Sequence, residues 1–422
     1  MPGTTPGTTP GTPSLLRVMN DRAALDLLLA HGPLSRTRIG RLTGLSKPTA
    51  SQLLSRLEAA GLVVATGTAA GRPGPNAQLY SVNPRAAHVA GLDVTPGRIL
   101  AAVADLTGEV VGSHELPYAE GTGAVEQVTR ALGEAAKDAG MPVSDIHRLV
   151  IATPGSFDPR SGVLRYADHL LGWQSPTLLD ELAAALPMPV EYENDVNLAA
   201  IAEQRLGAAR GHDDFVLLWN EEGLGAALVI GGRLHRGWTG GAGEVGFLPV
   251  PGRPLARQVV RENGGGYQDL AGMEVLPALA AGLGVPVPPV PASGAGSGAE
   301  HGAVHGPVSG AEVAQAVALL SRAAAEPEGA NLRLLQAYAT ALATGLAAVV
   351  AVLDPEIVVL SGAVTTAGGE PLRELIETEL ADLAPSRPRL VTGEVRERPV
   401  LRGALESALA ATREEVFDTS RR

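Results

Sequence analysis

Residues 34–63, LSRTRIGRLTGLSKPTASQLLSRLEAAGLV, decide the fold of the first part of this chain. Ser35 is a suitable N-cap for a short helix, and Gly44 supplies a residue that accepts the left-handed conformation of a tight turn. Ser46 and Pro48 then open a second helix, because proline is tolerated in the first helical turn. Leucines recur at helical spacing along that second helix, at Leu53, Leu54 and Leu57. The stretch therefore predicts a helix-turn-helix.

The flanking residues extend this unit to a winged helix over residues 14–85. Helical periodicity runs through residues 15–31, and strand-like residues 62–65 and 78–82 enclose a Gly/Pro-rich loop. In a winged helix the third helix enters the major groove of double-stranded DNA while the wing reaches the backbone or the minor groove. The residues expected to contact DNA are Arg36, Arg38, Arg41, Lys47, Thr49, Ser51, Gln52 and Arg72.

The distribution of charge supports a polyanionic partner for this module. The whole chain carries a net charge of −12, yet residues 1–85 hold nine Lys or Arg and three acids, a local charge of +6. A basic module on an acidic body is typical of a nucleic-acid-binding protein. A three-helix core with a hairpin also suits docking to another protein, and the positive charge favours DNA.

Length and composition exclude several other classes. The 422 residues suit two or three domains, and the absence of cysteine excludes disulfides, thiolate zinc sites and cysteine nucleophiles. Residues 1–13 are a Pro/Gly/Thr repeat that we expect to be disordered, with no targeting signal. The longest apolar run, residues 346–353, is too short to cross a bilayer. We therefore expect a cytoplasmic protein with no membrane association.

Residues 86–422 alternate strand-like and helix-like segments and predict an α/β body. A low-complexity insertion, residues 285–310, is expected to be unstructured. The predicted strands are 89–94, 99–105, 149–152, 215–219, 225–230 and 357–360, and the predicted helices are 124–139, 311–325, 332–353 and 401–416.

Landmarks in this body occur in a fixed order. They are GLD at 91–93, TPG at 153–155, HLLGW at 169–173, ENDVN at 193–197, GGAGEVGF at 240–247 and DPEIVVLSG at 354–362. Together they resemble the ROK family, named for repressors, open reading frames and sugar kinases. The resemblance implies a two-lobed, actin-like ATPase (sugar kinase-like) body with a cleft between the lobes. A winged helix fused ahead of that body is the family's repressor arrangement.

The phosphate-binding loops depart from the pattern of the family's kinases. Those kinases carry Asp-x-Gly-Gly-Thr, whereas Asp93 is followed here by VTPG, in which Pro96 has no N–H to donate. The kinases' Gly-Thr-Gly turn corresponds to residues 223–225, Gly-Leu-Gly, which lack the hydroxyl. Phosphoryl transfer depends on clamping the phosphates, so we expect a catalytically silent body with no cofactor. The alternative is an ATP-dependent, hexokinase-like sugar kinase that uses Asp195 as its general base.

The residues that the family uses to bind sugar are partly retained in this sequence. The resemblance implies that Asn194, Asp195 and Glu244 bind sugar hydroxyls, a task that suits carboxylates and amides because they offer paired polar atoms. Asp195 also suits the N-cap of the next helix, and Glu244 suits a solvated loop. His169 replaces an asparagine of the family, and Phe247 replaces its zinc-binding histidine. The residues expected to contact the effector are His169, Asn194, Asp195, Glu244, Phe247 and Asp269.

No metal site is expected, since the cysteines of the family's zinc site are absent. His301 and His305 lie in the low-complexity insertion, where we expect solvated side chains rather than a metal pair. The sequence therefore predicts a sugar-responsive transcriptional regulator, a repressor of carbohydrate uptake or catabolism genes. Its expected partners are operator DNA, a carbohydrate or sugar-phosphate effector, and a second copy of itself, with a tetramer as the larger alternative to the homodimer.

Overall fold

The computed structural model describes residues 13–69, 77–119, 121–158, 163–165, 170, 173, 175–257, 265–290 and 310–419. Several sequence-based expectations lie outside these residues: the disordered tail up to residue 12, Arg72, His169, and the insertion from residue 291 to 309.

The N-terminal module is a winged helix, as predicted. Its elements are α1 (Pro13–His31), β1 (Leu34–Ser35), α2 (Arg36–Thr43), α3 (Lys47–Ala59), β2 (Val63–Ala69) and β3 (Ala77–Val82). Ser35 caps α2 by accepting from the Arg38 N–H, Ser46 caps α3 by accepting from the Thr49 N–H, and Gly44 adopts φ 73° in the turn. The sequence did not indicate β1, which pairs with β3 in a sheet of order β1-β3-β2.

The first lobe of the body is built on a five-stranded sheet of order β10-β7-β4-β5-β6. Strands β4, β7 and β10 run parallel, so their carboxyl ends lie at one edge of the sheet. The elements of this lobe are β4 (His88–Val94), β5 (Arg98–Asp105), β6 (Val110–Pro117), α4 (Ala124–Asp138), β7 (Ile146–Thr153), β8 (Ser156–Asp158), β9 (Val163–Arg165), α5 (Leu178–Ala185), β10 (Val190–Asn194) and α6 (Asp195–Leu206).

The second lobe repeats this strand order. Its sheet runs β13-β12-β11-β14-β15, again with three antiparallel strands followed by two parallel ones. The elements are β11 (Phe215–Asn220), β12 (Leu224–Ile230), β13 (Arg233–Leu234), α7 (Gln268–Ala271), α8 (Leu276–Gly282), α9 (Gly310–Ala325), α10 (Gly329–Leu353), β14 (Ile357–Ser361), α11 (Ala363–Ala367), α12 (Gly369–Leu383), β15 (Arg389–Thr392) and α13 (Pro399–Phe417). This duplication gives the expected two-lobed, sugar kinase-like body.

Helix α13 returns to the first lobe and joins the body to the winged helix. Its middle, including Ala404 and Leu405, packs on the first sheet and on Leu198 of α6. Its last residues, Val416 and Phe417, are buried in the core of the winged helix. The two parts of the chain therefore share one apolar core at this junction.

Two segments of the second lobe differ from the expectations. Helix α10 is, within the described ranges, the one helix long and apolar enough to cross a membrane, although 56% of its most apolar window is buried in the protein. Residues 285–290 form no helix or strand, but Val285 is buried and the Pro288 carbonyl accepts from Gln315 Nε2 at 2.6 Å. The start of the predicted insertion thus packs with the lobe, because its valine has an apolar core to enter.

Candidate functional site

Most of the polar positions predicted to contact DNA are exposed side chains on α2 and the first half of α3. Gly44, with a positive φ, lets the chain reverse between the two helices that carry them. The exposed members are Arg36, Arg38, Arg41, Lys47, Thr49 and Gln52, and Ser51 is half-buried.

Two of these side chains also have structural partners. Arg36 Nη2 donates to the Tyr80 hydroxyl at 3.0 Å, which fixes the start of α2 against the wing strand β3. The Thr49 hydroxyl lies 2.8 Å from the Ser46 hydroxyl, within the cap of α3. The remaining exposed positions, Arg38, Arg41, Lys47 and Gln52, are the better candidates for direct contact with DNA.

Arg56 has a role that the charge count did not reveal. Its Nε donates to a carboxylate oxygen of Asp21 at 3.2 Å, and Asp21 is fully buried. The same carboxylate accepts from the Thr419 hydroxyl at 3.1 Å. Asp21 therefore ties α3 to α1 and to the residues that follow α13, so Arg56 serves the fold rather than the DNA surface.

The second predicted site lies where β7 and β10 end. Asn194 pairs with Thr153 across the parallel strands, and Asn194 Nδ2 donates to the Gly155 carbonyl at 2.9 Å. Asn194 Oδ1 accepts from the Asn197 N–H at 3.0 Å, so Asn194 is the N-cap of α6. Asp195 is the first helical residue, and the interpretation of Asp195 as the cap was wrong.

Glu244 reaches the same cleft from the second lobe. Gly243 adopts φ 98°, and a Cβ at this position would lie 1.9 Å from the Ala226 carbonyl oxygen, so glycine alone allows this approach. The Gly243 carbonyl also accepts from the Ala226 N–H at 2.9 Å. These contacts fix the loop against β12 and place Glu244 where its charge acts on Asp195.

Burial makes both carboxyl groups easier to protonate. Burial raises the pKa of Asp195 from 3.8 to about 8, and the nearby charges of Asp93, Glu222 and Glu244 add to this rise. Burial also raises the pKa of Glu244 to about 7. Protonated carboxyl groups both donate and accept hydrogen bonds, which matches the hydroxyls of a sugar.

An ion pair and a close backbone approach hold the two lobes together beside this cleft. Arg236, after β13, donates from Nε to Glu193 Oε2 at 2.5 Å, and Glu193 is 8% exposed. The other oxygen of Glu193 accepts from Asn197 Nδ2 at 2.9 Å. Gly240 approaches Phe157 so closely that a Cβ would lie 2.2 Å from the Phe157 carbonyl oxygen. The loop that carries Glu244 is therefore docked on the first lobe.

The side of the cleft to which the family resemblance assigns phosphate is acidic. The Thr95 N–H and the Arg98 N–H each donate to the other residue's carbonyl, which uses both donors inside the β4–β5 turn. Burial raises the pKa of Asp93 to about 6, and the charge of Glu221 contributes. Glu222, whose pKa burial also raises, faces both of these acids. This arrangement offers acidic groups where a kinase needs donors for phosphate.

Two segments of the chain match known protein families. Residues 89–272 match the ROK family, and residues 20–72 match the MarR family. The chain carries a ROK family domain behind a MarR-type winged helix.

A putative xylose repressor from Caldicellulosiruptor sp. (strain Rt8B.4) is 28% identical over 240 residues, which cover 56% of this chain and 60% of that protein. The chain thus spans about 60% of the length of the curated relative it matches. The ROK hexokinase from Thermus thermophilus is similar in structure, with a TM-score of 0.60 and 27% identity, over 78% of this chain and 99% of that one.

A ROK family transcriptional regulator, a homolog of the E. coli MLC protein, aligns with a TM-score of 0.68 and 20% identity. It covers 95% of this chain and 99% of the regulator. The likeness therefore includes the winged helix as well as the ROK domain, and at this identity it establishes the fold.

Two further residues predicted to contact the effector, Phe247 and Asp269, lie in the described part of the second lobe. Phe247 is half-buried at the end of a short turn, Val245–Phe247, that follows Glu244. Asp269 lies on α7, where its neighbour Gln268 reaches the cleft by accepting from the Leu224 N–H at 2.8 Å. In the described part of the chain, no group of three or more His, Asp and Glu could hold a metal ion.

Sequence reasoning missed several residues that shape the ROK site. Glu193 stands inside the quoted ENDVN landmark, and Glu221 and Glu222 directly precede the quoted Gly-Leu-Gly turn. Two consecutive acids beside the turn that corresponds to a phosphate loop could have indicated an acidic cleft. Arg236 and Gln268 carried no such signal, because their partners lie more than 40 residues away along the chain.

Proposed function

We propose that this protein is a sugar-responsive transcriptional repressor. The observation that carries the proposal is the pairing of an exposed basic DNA-reading surface with a ROK domain whose sugar side is polar and whose phosphate side is acidic. The named similarity to a putative xylose repressor supports the same function.

In this proposal, two copies of the chain place their winged helices on operator DNA. Arg38, Arg41 and Lys47 neutralise phosphates, and Gln52 faces the bases from α3. A homodimer would read two half-sites one helical turn apart, or a multiple of that spacing.

The effector would lie between Asn194, Asp195 and Glu244. The acids on the far side of the cleft, Asp93, Glu221 and Glu222, disfavour an anionic ligand there by charge repulsion. An uncharged sugar therefore suits this cleft better than a sugar phosphate.

Helix α13 provides a physical connection between the sugar and the DNA surface. It packs along α6, whose N-terminus carries Asn194 and Asp195, and it ends in the core of the winged helix. A sugar that binds one arrangement of this connection more tightly than the other shifts the population of the DNA-binding state. Induction requires that difference in affinity.

DNA binding by the full chain tests the proposal directly. Fluorescence anisotropy would be measured with labelled DNA from the region upstream of the protein's own gene, at several salt concentrations, with and without sugars. We expect specific binding that a sugar changes at least several-fold. Binding equal to that of random DNA, or indifference to every sugar in a carbohydrate panel that includes D-xylose and D-glucose, would contradict the proposed function.

A sugar kinase is the competing function, and the phosphate side of the cleft argues against it. A coupled assay for ADP release across the same sugar panel separates the two. We expect no turnover above background. Turnover that Asp195→Asn abolishes would establish the kinase instead.

A further inference from the structure

A narrow cavity lies next to the effector site, inside the first lobe. Phe157, Leu164 and Leu178 form its apolar wall. The rest of its lining consists of Thr153, Trp173, Ser175 and Tyr192. It has room for one group about the size of a water molecule. None of the described residues that line the cavity is among those predicted to contact the effector.

Three polar atoms that line this cavity are buried and, among the residues that the structure describes, have no hydrogen-bond partner. They are the Thr153 hydroxyl, the Trp173 indole N–H and the Tyr192 hydroxyl. Thr153 is 1% exposed and Trp173 is 2% exposed. Buried polar groups are nearly always paired in native proteins, so three unpaired ones around one space indicate a group that binds there.

The aromatic rings hold these atoms in place. The Tyr192 ring packs edge-on against Trp173, with ring centroids 6.2 Å apart, and against Phe157 at 5.5 Å. Tyr192 and Trp173 also belong to the apolar core of the lobe. The polar atoms therefore line the cavity before any ligand enters.

The chemistry of the three groups limits what can bind. The indole N–H only donates, so the ligand must bring an acceptor oxygen, while the two hydroxyls both donate and accept. The described residues that line the cavity include no Lys or Arg, so they would give a phosphate or carboxylate no counter-charge. A single uncharged hydroxyl satisfies all these conditions and fits the size.

The position of the cavity connects it with the effector site. Thr153 is the strand partner of Asn194, and Tyr192 precedes Asn194 by two residues, so it lies on the same face of β10. A sugar held by Asn194 and Asp195 would lie beside the cavity. We propose that the cavity is a subsite that receives one uncharged hydroxyl-bearing group of the effector sugar through Trp173, Tyr192 and Thr153. The proposal rests on the sugar-responsive function proposed above.

Fluorine NMR of the full chain labelled with 5-fluorotryptophan tests this subsite. The chain has three tryptophans, Trp173, Trp219 and Trp238, and the variant Trp173→Phe assigns the Trp173 signal. D-glucose and D-xylose would be titrated, each followed by its monodeoxy analogues. We expect the sugar to shift the Trp173 signal, and one deoxy analogue to bind without shifting it. A sugar that binds but never moves the Trp173 signal would overturn the subsite and leave the regulatory function intact.

The variant Tyr192→Phe gives a second test. Removing one hydrogen bond should weaken binding of the intact sugar roughly three- to tenfold, while the affinity for the deoxy analogue that lacks the bound hydroxyl stays the same. Equal losses for both ligands would overturn the subsite. Without sugar, Tyr192→Phe should keep or raise the Tm, because the removed hydroxyl is unpaired. The matched control is Tyr338→Phe, which removes a hydroxyl bonded to Ala271 and should lower the Tm by roughly 2–4 °C.

If neither sugar binds, ethylene glycol provides an independent probe of the cavity. A saturable shift of the Trp173 signal by ethylene glycol, absent in Tyr192→Phe, would support a hydroxyl site while the sugar-responsive function fails. The absence of that shift would overturn the subsite as well.

Discussion

Arg236 of the second lobe donates from Nε to Glu193 Oε2 of the first lobe at 2.5 Å, beside the residues predicted to bind the effector. Glu193 also accepts from Asn197 Nδ2 and from the Asn194 N–H, so one buried carboxylate orients the end of β10, the start of α6 and the loop after β13. The relative position of the lobes and the geometry of the residues predicted to bind the sugar therefore depend on the same group.

Replacing Arg236 should weaken both stability and sugar binding. Arg236→Gln leaves the buried Glu193 carboxylate without its cationic partner, which costs about 1–3 kcal/mol. We expect a lower Tm and an affinity for sugar reduced about tenfold or more, measured by thermal unfolding and calorimetry. Arg233→Gln, on the same exposed segment, is the control and should change neither. An unchanged Tm for Arg236→Gln would show that the ion pair does not hold the lobes.

The pH dependence of stability should report on Asp195. Its pKa rises from 3.8 to about 8 on folding, so between these values the folded protein keeps a proton that the unfolded chain releases. The contribution of Asp195 to the free energy of unfolding is thus lost as the pH rises from about 4 to about 8. Asp195→Asn should raise the Tm at pH 8 by roughly 5–10 °C and leave the Tm at pH 4 nearly unchanged.

The pKa values of Glu244 and Asp93 are also raised, to about 7 and about 6. These two groups therefore also make the free energy of unfolding fall as the pH rises, and this fall persists in the Asp195→Asn variant. The exposed Asp382 supplies the control variant Asp382→Asn. If Asp195→Asn and wild type lose stability in parallel from pH 4 to pH 8, Asp195 is ionised in the empty cleft.

The salt dependence of DNA binding should distinguish residues that contact phosphates from a residue that contacts a base. Arg38→Ala and Arg41→Ala should each reduce the slope of log K against log salt by about 0.9, the loss of one phosphate contact. Gln52→Ala should leave the slope and lower the preference for the specific sequence by about 1–3 kcal/mol. Anisotropy titrations at several salt concentrations measure both quantities. Arg130→Ala on α4 is the control for general charge, and a slope change there equal to that of Arg41→Ala would contradict the assignment.

The end of α13 should transmit sugar binding to the winged helix. Phe417 is 1% exposed in the core of the winged helix, so Phe417→Ala removes about 3–5 kcal/mol of packing at the junction. We expect the sugar to bind within twofold of wild type but no longer to change the affinity for DNA. Calorimetry and anisotropy on the same preparation measure the two. The exposed Val352 provides the control, Val352→Ala. A sugar response that survives Phe417→Ala would exclude this route.

Gly243 should tolerate no side chain. Gly243→Ala places a Cβ 1.9 Å from the Ala226 carbonyl oxygen at a positive φ, so the loop must move away from β12 and take Glu244 with it. We expect sugar affinity to fall at least tenfold with a smaller loss of Tm. The control is Gly252→Ala, which also has positive φ but open space around it. Sugar affinity equal in the two variants would show that the position of Glu244 is unimportant.

Much of the fold could be predicted from short-range patterns in the sequence. Ser35, Gly44 and Ser46 act on atoms within a few residues, so the helix-turn-helix could be placed correctly from the sequence, and β-branched and apolar runs marked the strands of the body in the same way. The order of the landmarks indicated the ROK domain. The sequence also showed that Pro96 removes a phosphate donor, since proline lacks the N–H in any fold.

Contacts between distant residues were decided by the tertiary structure alone. The pairing of Arg56 with Asp21, of Arg236 with Glu193, and the burial of Phe417 in the winged helix each depend on the path of the chain through both lobes. The assignment of the α6 cap to Asn194 rather than Asp195 needed backbone geometry, because either side chain is chemically able to cap. The unpaired atoms of Thr153, Trp173 and Tyr192 meet around one cavity only because three separate segments pack together, and no local pattern of residues records that packing.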